Sequence, residues 1–165
     1  MPKQVIVLSG VSGSGKSTLA RKMSKSPSGY EKEALIVSAD DYFTDSLGEY
    51  HFDPSNLAEA HAECFRSFIA GLQNGRDLII VDNTNTTERE ISPYMLGASA
   101  FGYSASIRAI VCNDEDLIAA HQRNSHGVPL AAIYAQHHRQ NEMLRSLPTY
   151  WERYTHSFFG LQKNG

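Results

Sequence analysis

The residues with the clearest chemical meaning form a glycine-rich stretch near the start of the chain. Gly10 to Ser17 read Gly-Val-Ser-Gly-Ser-Gly-Lys-Ser and match the pattern G-x-x-x-x-G-K-[ST]. Glycines let such a loop curl with its backbone N–H groups turned inward, and the helix behind it adds the positive end of its dipole. We therefore predict a nucleoside triphosphate site formed by Gly10, Ser12, Gly13, Ser14, Gly15, Lys16, Ser17 and Thr18.

Two side chains of this loop and one later aspartate predict that the site uses magnesium. Lys16 is placed to reach the β- and γ-phosphates, and the Ser17 hydroxyl to bind Mg²⁺. Asp82 ends the apolar run Leu78–Val81, where the second magnesium-side carboxylate of such proteins belongs. ATP and Mg²⁺ are the expected cofactors, adenine being the default because the sequence has no N-K-x-D motif for reading guanine.

Polar side chains that follow two apolar runs are candidates for the acceptor side of the reaction. Asp40 and Asp41 come just after the run Ala34–Ser38, and Asn83 and Asn85 come after the magnesium-side aspartate. The carboxyl ends of parallel strands meet at one edge of a sheet, beside the phosphate loop. A carboxylate at that edge can take the proton of an acceptor hydroxyl. We therefore predict that Asp40 or Asp41 is a general base, and that Asn83 and Asn85 face the substrate.

The segment Arg123–Pro129 predicts a lid over the phosphates. It joins an arginine at a helix end to a glycine and then to a proline that starts a new helix. Arg123 could pair with the transferring phosphoryl group, as an arginine finger does. His126 fits either a lid contact or a hydrogen-bonded loop histidine. Arg139 could be a second lid cation, but it is interpreted as a surface arginine of the next helix.

Alternating apolar runs and helical patterns must position these residues. The runs Gln4–Ser9, Ala34–Ser38, Leu78–Asp82 and Ser104–Cys112 predict strands, and helical patterns cover Ser17–Ser24, Asp53–Gly75, a segment capped by Thr87, Asp114–Gln122 and Leu130–Leu144. Strands that alternate with helices are typical of an α/β fold. We predict one domain over residues 1–165, a three-layer P-loop NTPase of kinase-like type with a parallel sheet of four or five strands.

Two segments are interpreted as irregular. Asp40–Asp53 is polar and aromatic and predicts a loop. Tyr150–Phe159 is rich in aromatic residues, which favours a C-terminal tail that packs its rings onto the core over a base-stacking platform.

The overall composition limits the partners and the compartment. The chain has 165 residues, 41% of them apolar and 20% charged, with a net charge of −3. Basic residues crowd the first helix and its exit (Lys16, Arg21, Lys22, Lys25 and Lys32), so we expect no extended nucleic-acid track, although a short end would fit. No apolar run approaches the ~20 residues that a membrane helix needs. Two cysteines and a start without a secretory signal predict a cytoplasmic protein.

Two further classes of site and protein are not expected. A structural zinc site is not expected. His137 and His138 are adjacent on a helix, so they diverge by ~100° and cannot both bind one ion from the same face. The other histidines considered show no zinc-type spacing with cysteine or carboxylate partners: His51, His61, His121 and His156. A motor or AAA-type ATPase would need a longer chain for its ring contacts and lid domain.

The order and spacing of these motifs resemble known P-loop proteins. Gly10–Thr18, Asp40-Asp41-Tyr42, Val81–Asn85 and Arg123-Asn124 resemble the kinase domain of phage-type 5′-polynucleotide kinases and related small P-loop ATPases. Asp40–Phe43, Gly48–Pro54 and Arg123–Val128 are similar to the kinase-like domain of a ubiquitin-ligase-binding protein. The similarity covers roughly Val5 to Met143.

This resemblance implies roles for particular residues. Lys16 and Ser17 would hold the phosphates and Mg²⁺, and Asp40 would be the general base. Asp82 would support the metal or the lid, and Arg123 would be the lid arginine. The sequence departs from the phage enzyme at Phe43, where that enzyme has a basic residue that contacts an acceptor phosphate.

The expected function is ATP-dependent transfer of the γ-phosphoryl group to an acceptor hydroxyl. A nucleic-acid 5′ hydroxyl is the favoured acceptor. A hydroxymethylated base in DNA, a nucleoside or a small metabolite is the alternative, which the acidic residues Asp45, Glu49 and Asp53 near Phe43 also fit. An ATP-gated binding module without transfer is the alternative from another class.

Overall fold

A computed structural model of the protein describes residues 2–25 and 34–158. Lys32 and Phe159 lie outside the described residues. The helices and strands follow one another as β1 (Gln4–Ser9), α1 (Lys16–Ser24), β2 (Leu35–Val37), α2 (Leu57–Gln73), β3 (Leu78–Val81), α3 (Glu88–Ala100), β4 (Ser104–Val111), α4 (Asp114–Arg123), α5 (Leu130–Ser146) and β5 (Glu152–Ser157).

The strands form one five-stranded sheet in the order β2-β3-β1-β4-β5, and every neighbouring pair is parallel. The first strand is therefore central, with Val5 opposite Ile79 of β3 on one side and Ala105 of β4 on the other. The predicted α/β fold with a parallel sheet is confirmed. The loop after β1 leaves the carboxyl edge of the sheet at its middle, where ligands of such sheets bind.

Alternation along β1 divides the core into two sides. Val5 and Val7 face the cluster that contains Phe68 of α2 and Ile91 of α3. Ile6 and Leu8 face the other side of the sheet, where Leu19 of α1 covers them. A strand buried on both faces needs a continuous apolar run, which explains the Val-Ile-Val-Leu sequence. The result is a helix–sheet–helix sandwich in which the phosphate loop connects the central strand to α1. Among the described helices, none is long and apolar enough to cross a membrane.

The C-terminal segment differs from the predicted tail, because it forms β5 at the edge of the sheet. The strand reads Glu-Arg-Tyr-Thr-His-Ser and pairs in parallel with β4. Trp151 before it and Phe158 after it are buried, whereas Tyr150 and Tyr154 are exposed. Packing of the two flanking rings onto the core agrees with the interpretation. The strand between them was missed because an edge strand exposed to water carries no apolar run.

The segment predicted as a loop between β2 and α2 is more ordered than expected. Residues 39–43 form a 3₁₀ helix whose first N–H groups are capped by Ser38. Thr44 and Tyr50 then pair in an antiparallel bridge, which makes residues 44–50 a small hairpin. Asp53 caps a short 3₁₀ turn that leads into α2. These elements fix the position of Asp40 and of the aromatic side chains behind it.

Candidate active site

The phosphate loop lies between β1 and α1 and has the backbone that its glycines allow. Gly13 and Gly15 have positive φ angles of 78° and 99°, and Gly15 is the residue before the first turn of α1. A Cβ atom at Gly13 would lie 2.0 Å from the carbonyl oxygen of Ala120 in α4. The first N–H groups of a helix have no partner within the helix, so the start of α1 offers donors to an anion.

Lys16 is a buried cation at the mouth of this loop. Its Nζ donates a hydrogen bond of 2.8 Å to the carbonyl oxygen of Val11. Burial lowers the pKa of Lys16, and the nearby charges of Asp82 and Asp40 oppose that effect. An anionic ligand would give this buried ammonium a directly hydrogen-bonded charged partner, because a phosphate oxygen can replace the loop carbonyl as its acceptor.

Ser17 and Asp82 form the oxygen pair that the sequence predicted for a magnesium site. The Ser17 hydroxyl donates to Oδ2 of Asp82 over 2.7 Å. Asp82 is nearly buried, and its N–H donates to the carbonyl of Val37, which ties the end of β3 to β2. A hydroxyl and a carboxylate are hard oxygen ligands, so the side chains present fit Mg²⁺.

Asp40 faces the same cleft from the 3₁₀ helix after β2. Its Oδ1 accepts a hydrogen bond of 3.2 Å from the Tyr50 hydroxyl, and Nδ1 of His126 lies 3.7 Å from that oxygen. Burial and the charge of Asp40 raise the pKa of Tyr50 well above its usual value, so this hydroxyl remains a donor at physiological pH. Asp40 therefore has a fixed orientation and a second carboxylate oxygen for a ligand.

The other predicted acceptor-side residues have different surroundings. Asn83 accepts a hydrogen bond from the N–H of Ala39 over 2.8 Å, so it holds the segment that carries Asp40. Asn85 is buried with a positive φ of 45°, and its amide donates to the carbonyl of Leu8. Burial raises the pKa of Asp41, and the charge of Asp40 adds to this effect.

The predicted lid segment is folded by one of its own side chains. Oδ1 of Asn124 accepts from the N–H groups of His126 and Val128, and its Nδ2 donates to the Val128 carbonyl. The His126 ring lies 3.9 Å from the Tyr50 ring, so this loop touches the hairpin beside Asp40. The Arg123 guanidinium lies over the buried Phe158 ring at 4.9 Å.

These elements enclose one cleft of about 570 Å³. Of the predicted site residues, those that line it are Ser12, Gly13, Gly15, Lys16, Ser17, Thr18, Asp40, Asp82, Asn83 and Arg123. Gly10, Ser14, Asp41 and Asn85 do not line it. Gly10 and Ser14 shape the loop from behind, because a Cβ at Gly10 would lie 2.7 Å from the Ser14 hydroxyl.

Sequence reasoning missed two groups in the cleft that come from α5. Gln136 accepts from the N–H of Ser12 over 2.9 Å and so braces the phosphate loop. Arg139, interpreted as a surface arginine, lines the cleft and donates to Thr86. No local pattern marks either residue, because both act across more than fifty positions of sequence.

His51 has two carboxylate neighbours that spacing did not reveal. Nε2 of His51 lies 3.0 Å from Oδ2 of Asp45 and 3.7 Å from Oε2 of Glu49. The hairpin of residues 44–50 brings them together, a proximity that the absence of zinc-type spacing in the sequence did not indicate. All three side chains are exposed on the protein surface.

The phosphate loop, its oxygen pair and the parallel sheet agree with comparisons to known proteins. The profile of a family described as an AAA domain (AAA_33) matches residues 5–147. The chain belongs to this P-loop family. An AAA-type ATPase was not expected because the chain is short. The match to this family shows that a short chain does not exclude that class.

Individual relatives show how widely the domain occurs. Human NEDD4-binding protein 2 is 36% identical over 105 residues, which are 63% of this chain and 6% of that protein. A chain of the Pnkp1/Rnl/Hen1 RNA repair complex superposes with a TM-score of 0.70 at 20% identity, over 89% of this chain and 47% of that one. An unliganded sugar kinase from Janibacter sp. HTCC2649 gives a TM-score of 0.60 at 18% identity, over 96% and 87% of the two chains.

These similarities establish the kinase type of P-loop fold. The chain spans only a small part of the human relative and less than half of the repair-complex chain.

Proposed function

We propose that the chain is an ATP-dependent phosphotransferase that moves the γ-phosphoryl group to a hydroxyl of a nucleic acid, a 5′ hydroxyl being the favoured acceptor. The observation that carries the proposal is the meeting of three groups at one cleft: the Lys16 ammonium, the Ser17–Asp82 oxygen pair and the Asp40 carboxylate. The similarity in fold to a chain of an RNA repair complex supports a nucleic-acid acceptor.

The phosphate loop would bind the triphosphate. Backbone N–H groups of the loop, the start of α1 and Lys16 would contact its phosphate oxygens. Ser17 and Asp82 would hold Mg²⁺, which would neutralise charge on the β- and γ-phosphates. Gln136 would keep the loop in the required conformation through its bond to Ser12. Electrostatic stabilisation by preorganised donors is the main contribution such a site makes.

Asp40 would act on the acceptor. Its carboxylate would accept the proton of the hydroxyl while that oxygen forms a bond to the γ-phosphorus. The bond from the γ-phosphorus to the β–γ bridging oxygen breaks, and ADP leaves. Asp40 is a better candidate for the base than Asp41, because it lines the cleft and receives the Tyr50 hydrogen bond.

Arg123 would complete the site from the lid segment. It lines the cleft at the end of α4, above the ring of Phe158. A cation at this place can pair with the charge of the transferring group, a role worth on the order of 10³–10⁵ in rate where an arginine finger operates.

The test is transfer of ³²P from γ-labelled ATP·Mg²⁺ to a panel of acceptors. The panel contains 5′-hydroxyl DNA and RNA oligonucleotides, duplex DNA with 5-hydroxymethyl pyrimidines, and free nucleosides, with Lys16→Ala as the negative control. We expect label on the oligonucleotide 5′ end. Label on a modified base or on a nucleoside alone would replace the acceptor in this proposal. No label on any acceptor, with ATP still bound, would refute phosphotransfer to these acceptors in favour of a small-metabolite acceptor or an ATP-gated binding module.

A further inference from the structure

One wall of the cleft, beside Asp40, is made of aromatic rings. Phe43, Tyr50 and Phe52 form this aromatic wall, and Leu57 extends it at the start of α2. The rings of Tyr50 and Phe52 are nearly parallel, at an angle of 8° with centroids 6.3 Å apart. Phe43 is buried and supports both rings edge-on, at 6.0 Å and 5.1 Å. The wall is therefore a rigid surface rather than a loose group of side chains.

Part of this wall remains open to water. Phe52 is 51% exposed and Leu57 is 42% exposed. Large apolar side chains that line a cleft and stay exposed are commonly contact points for a ligand. Because the wall adjoins Asp40, its natural occupant is the body of the molecule whose hydroxyl Asp40 contacts.

The polar groups near the wall restrict the chemistry of that occupant. The Tyr50 hydroxyl donates to Asp40, and the Asn83 amide accepts from Ala39 and contacts the thiol of Cys64. These groups are engaged within the protein. A sugar or other polyol placed against the wall would find few free protein partners for its hydroxyl groups there, which lowers its affinity. A flat ring that carries one reactive hydroxyl on a neighbouring group fits better.

The charged residues around the cleft also restrict the occupant of the aromatic wall. The cations that line the cleft are Lys16, Arg21, Arg123 and Arg139, and they come from α1, α4 and α5. The aromatic wall itself carries no cation, and the hairpin behind it presents Asp45 and Glu49. The acceptor end at the wall is therefore uncharged and carries no phosphate of its own.

We propose that the aromatic wall stacks the nucleobase of the acceptor's terminal, unphosphorylated nucleoside, so that the site selects its acceptor by the base as well as by the hydroxyl. This inference rests on the proposed function. Phe52 supplies the exposed ring face, while Tyr50 and Phe43 hold it in place. Aromatic side chains stack on any base with little sequence preference, so the site would accept all four terminal nucleosides.

The experiment compares two 5′-hydroxyl oligonucleotides that differ only in their first residue, a normal nucleoside or an abasic tetrahydrofuran. For the wild type we expect KM to be about 5- to 150-fold higher for the abasic oligonucleotide, the range that loss of one base–aromatic stack gives. In Phe52→Ala the KM for the normal oligonucleotide should rise to a similar value, and the preference for a base should disappear. The KM for ATP should not change.

Two further variants serve as controls. Phe52→Trp should restore the preference, because indole is also a stacking surface. Phe101→Ala should leave it unchanged, because Phe101 is similarly exposed, at 44%, but lies at the end of α3 and not in the cleft. Equal kcat/KM for the two oligonucleotides in the wild type, or a preserved preference in Phe52→Ala, would overturn the inference while leaving phosphotransfer established.

A separate measurement covers failure of the proposed function itself. If the wild type labels neither oligonucleotide, binding of adenosine or thymidine is measured by calorimetry with Mg²⁺ and a non-hydrolysable ATP analogue present. Nucleoside binding that Phe52→Ala weakens would keep the stacking site without 5′-end transfer. Absence of nucleoside binding to the wild type would refute the stacking site as well.

Discussion

The chemistry of the cleft depends on side chains that hold other side chains in place. Asp40 is positioned by the Tyr50 hydroxyl on one side and by Asn83 through the N–H of Ala39 on the other. Lys16 and Ser17 are likewise held by groups of the protein, the Val11 carbonyl and Asp82. Preorganisation of this kind lowers the cost of ordering the site when the reactants bind.

Tyr50→Phe tests the positioning of Asp40. The variant keeps the ring but removes the donor to the carboxylate, so kcat should fall roughly 10-fold, the effect of one hydrogen bond to a charged group. The KM for ATP should stay the same, and steady-state kinetics separate the two quantities. Tyr42→Phe is the matched control. Tyr42 lies in the 3₁₀ helix that carries Asp40, is 42% exposed, and contacts Phe43 with its ring. An equal loss in both variants would contradict the positioning role of Tyr50.

Residue types located the phosphate loop from one contiguous motif, whereas the predicted acceptor-side residues have different surroundings from one another. The loop is contiguous, so each glycine and Lys16 could be assigned from local spacing. Asn85 is as polar as Asn83 and stands only three positions after Asp82, yet its amide donates to the Leu8 carbonyl and does not line the cleft. Polarity near a strand end predicts a hydrogen bond but does not say whether the partner is backbone or substrate. Gln136 reaches the phosphate loop from 124 positions away, so no local pattern could indicate it. Tyr50 is only ten positions from Asp40, but it lies in a segment predicted as a loop, where the sequence does not say which side chains meet.

At the level of elements, the phosphate loop is wedged between α1 and the end of α4. Gly13 has a positive φ, and its α-carbon lies so close to Ala120 that a methyl group would overlap the carbonyl oxygen at 2.0 Å. This contact fixes the loop against the helix that carries Arg123 at its end. The triphosphate site and the lid segment are therefore mechanically linked.

Gly13→Ala should strongly weaken ATP binding, because the loop must move to remove the overlap. Gly48→Ala is a matched control: Gly48 has a positive φ of 83°, but a Cβ there would meet no atom within 4 Å. In the control, the free energy of unfolding should fall by only about 1–2 kcal/mol, because alanine is strained at a positive φ. Its nucleotide affinity should not change. ATP titration by calorimetry and thermal unfolding would measure both effects. Equal nucleotide affinities in the two variants would show that the contact with Ala120 is unimportant.

Phe158, the residue after the edge strand β5, packs beneath the first residue of the lid segment. Phe158 is fully buried with Val11, Leu117 and Ile133, and it lies under the Arg123 guanidinium. Phe158→Ala should lower the free energy of unfolding by about 3–5 kcal/mol, as loss of a buried phenylalanine does. Tyr150→Ala should change it by less than about 0.5 kcal/mol, because Tyr150 is 80% exposed. Urea unfolding of the two variants gives the comparison, and a small effect of Phe158→Ala on the free energy of unfolding would contradict the burial of this ring in the core.

The strands could be predicted where they are central and could not be predicted at the edge. The runs in β1 and β3 are apolar because both faces of these strands are covered by helices. Among the described strands, β5 pairs with β4 alone. Its Glu-Arg-Tyr-Thr-His-Ser sequence is polar because most of the strand is exposed to water. The 3₁₀ helix that carries Asp40 has no apolar period either, and its cap by Ser38 is a signal shared with ordinary turns.

On the scale of the whole molecule, the two cysteines report on the integrity of the fold. Cys64 lies on the buried face of α2, and burial raises its pKa. Burial, together with the charge of Asp116, raises the pKa of Cys112 to about 11. Both thiols are free, and neither is activated for reaction.

Alkylation of the native protein at pH 8 should therefore be slow. For Cys112 the rate should be about 10²-fold below that of free cysteine, since far less thiolate is present when the pKa is near 11 than when it is near 8.5. The rate should increase with pH until the thiol ionises, and urea should restore normal reactivity at both positions. Mass spectrometry after timed iodoacetamide treatment makes the measurement. Rapid labelling of Cys112 in the native state would contradict the packing around β4.

The most direct test of the central claim compares Asp40→Asn with the wild type in two assays, ATP affinity and single-turnover transfer to a hydroxyl acceptor. The account predicts nearly unchanged ATP affinity and a transfer rate lower by about 10²–10⁴, because only proton removal from the acceptor is lost. Lys16→Ala should lose both, and Asp41→Asn neither. Full transfer by Asp40→Asn would contradict the account and assign the acceptor chemistry to another group of the cleft.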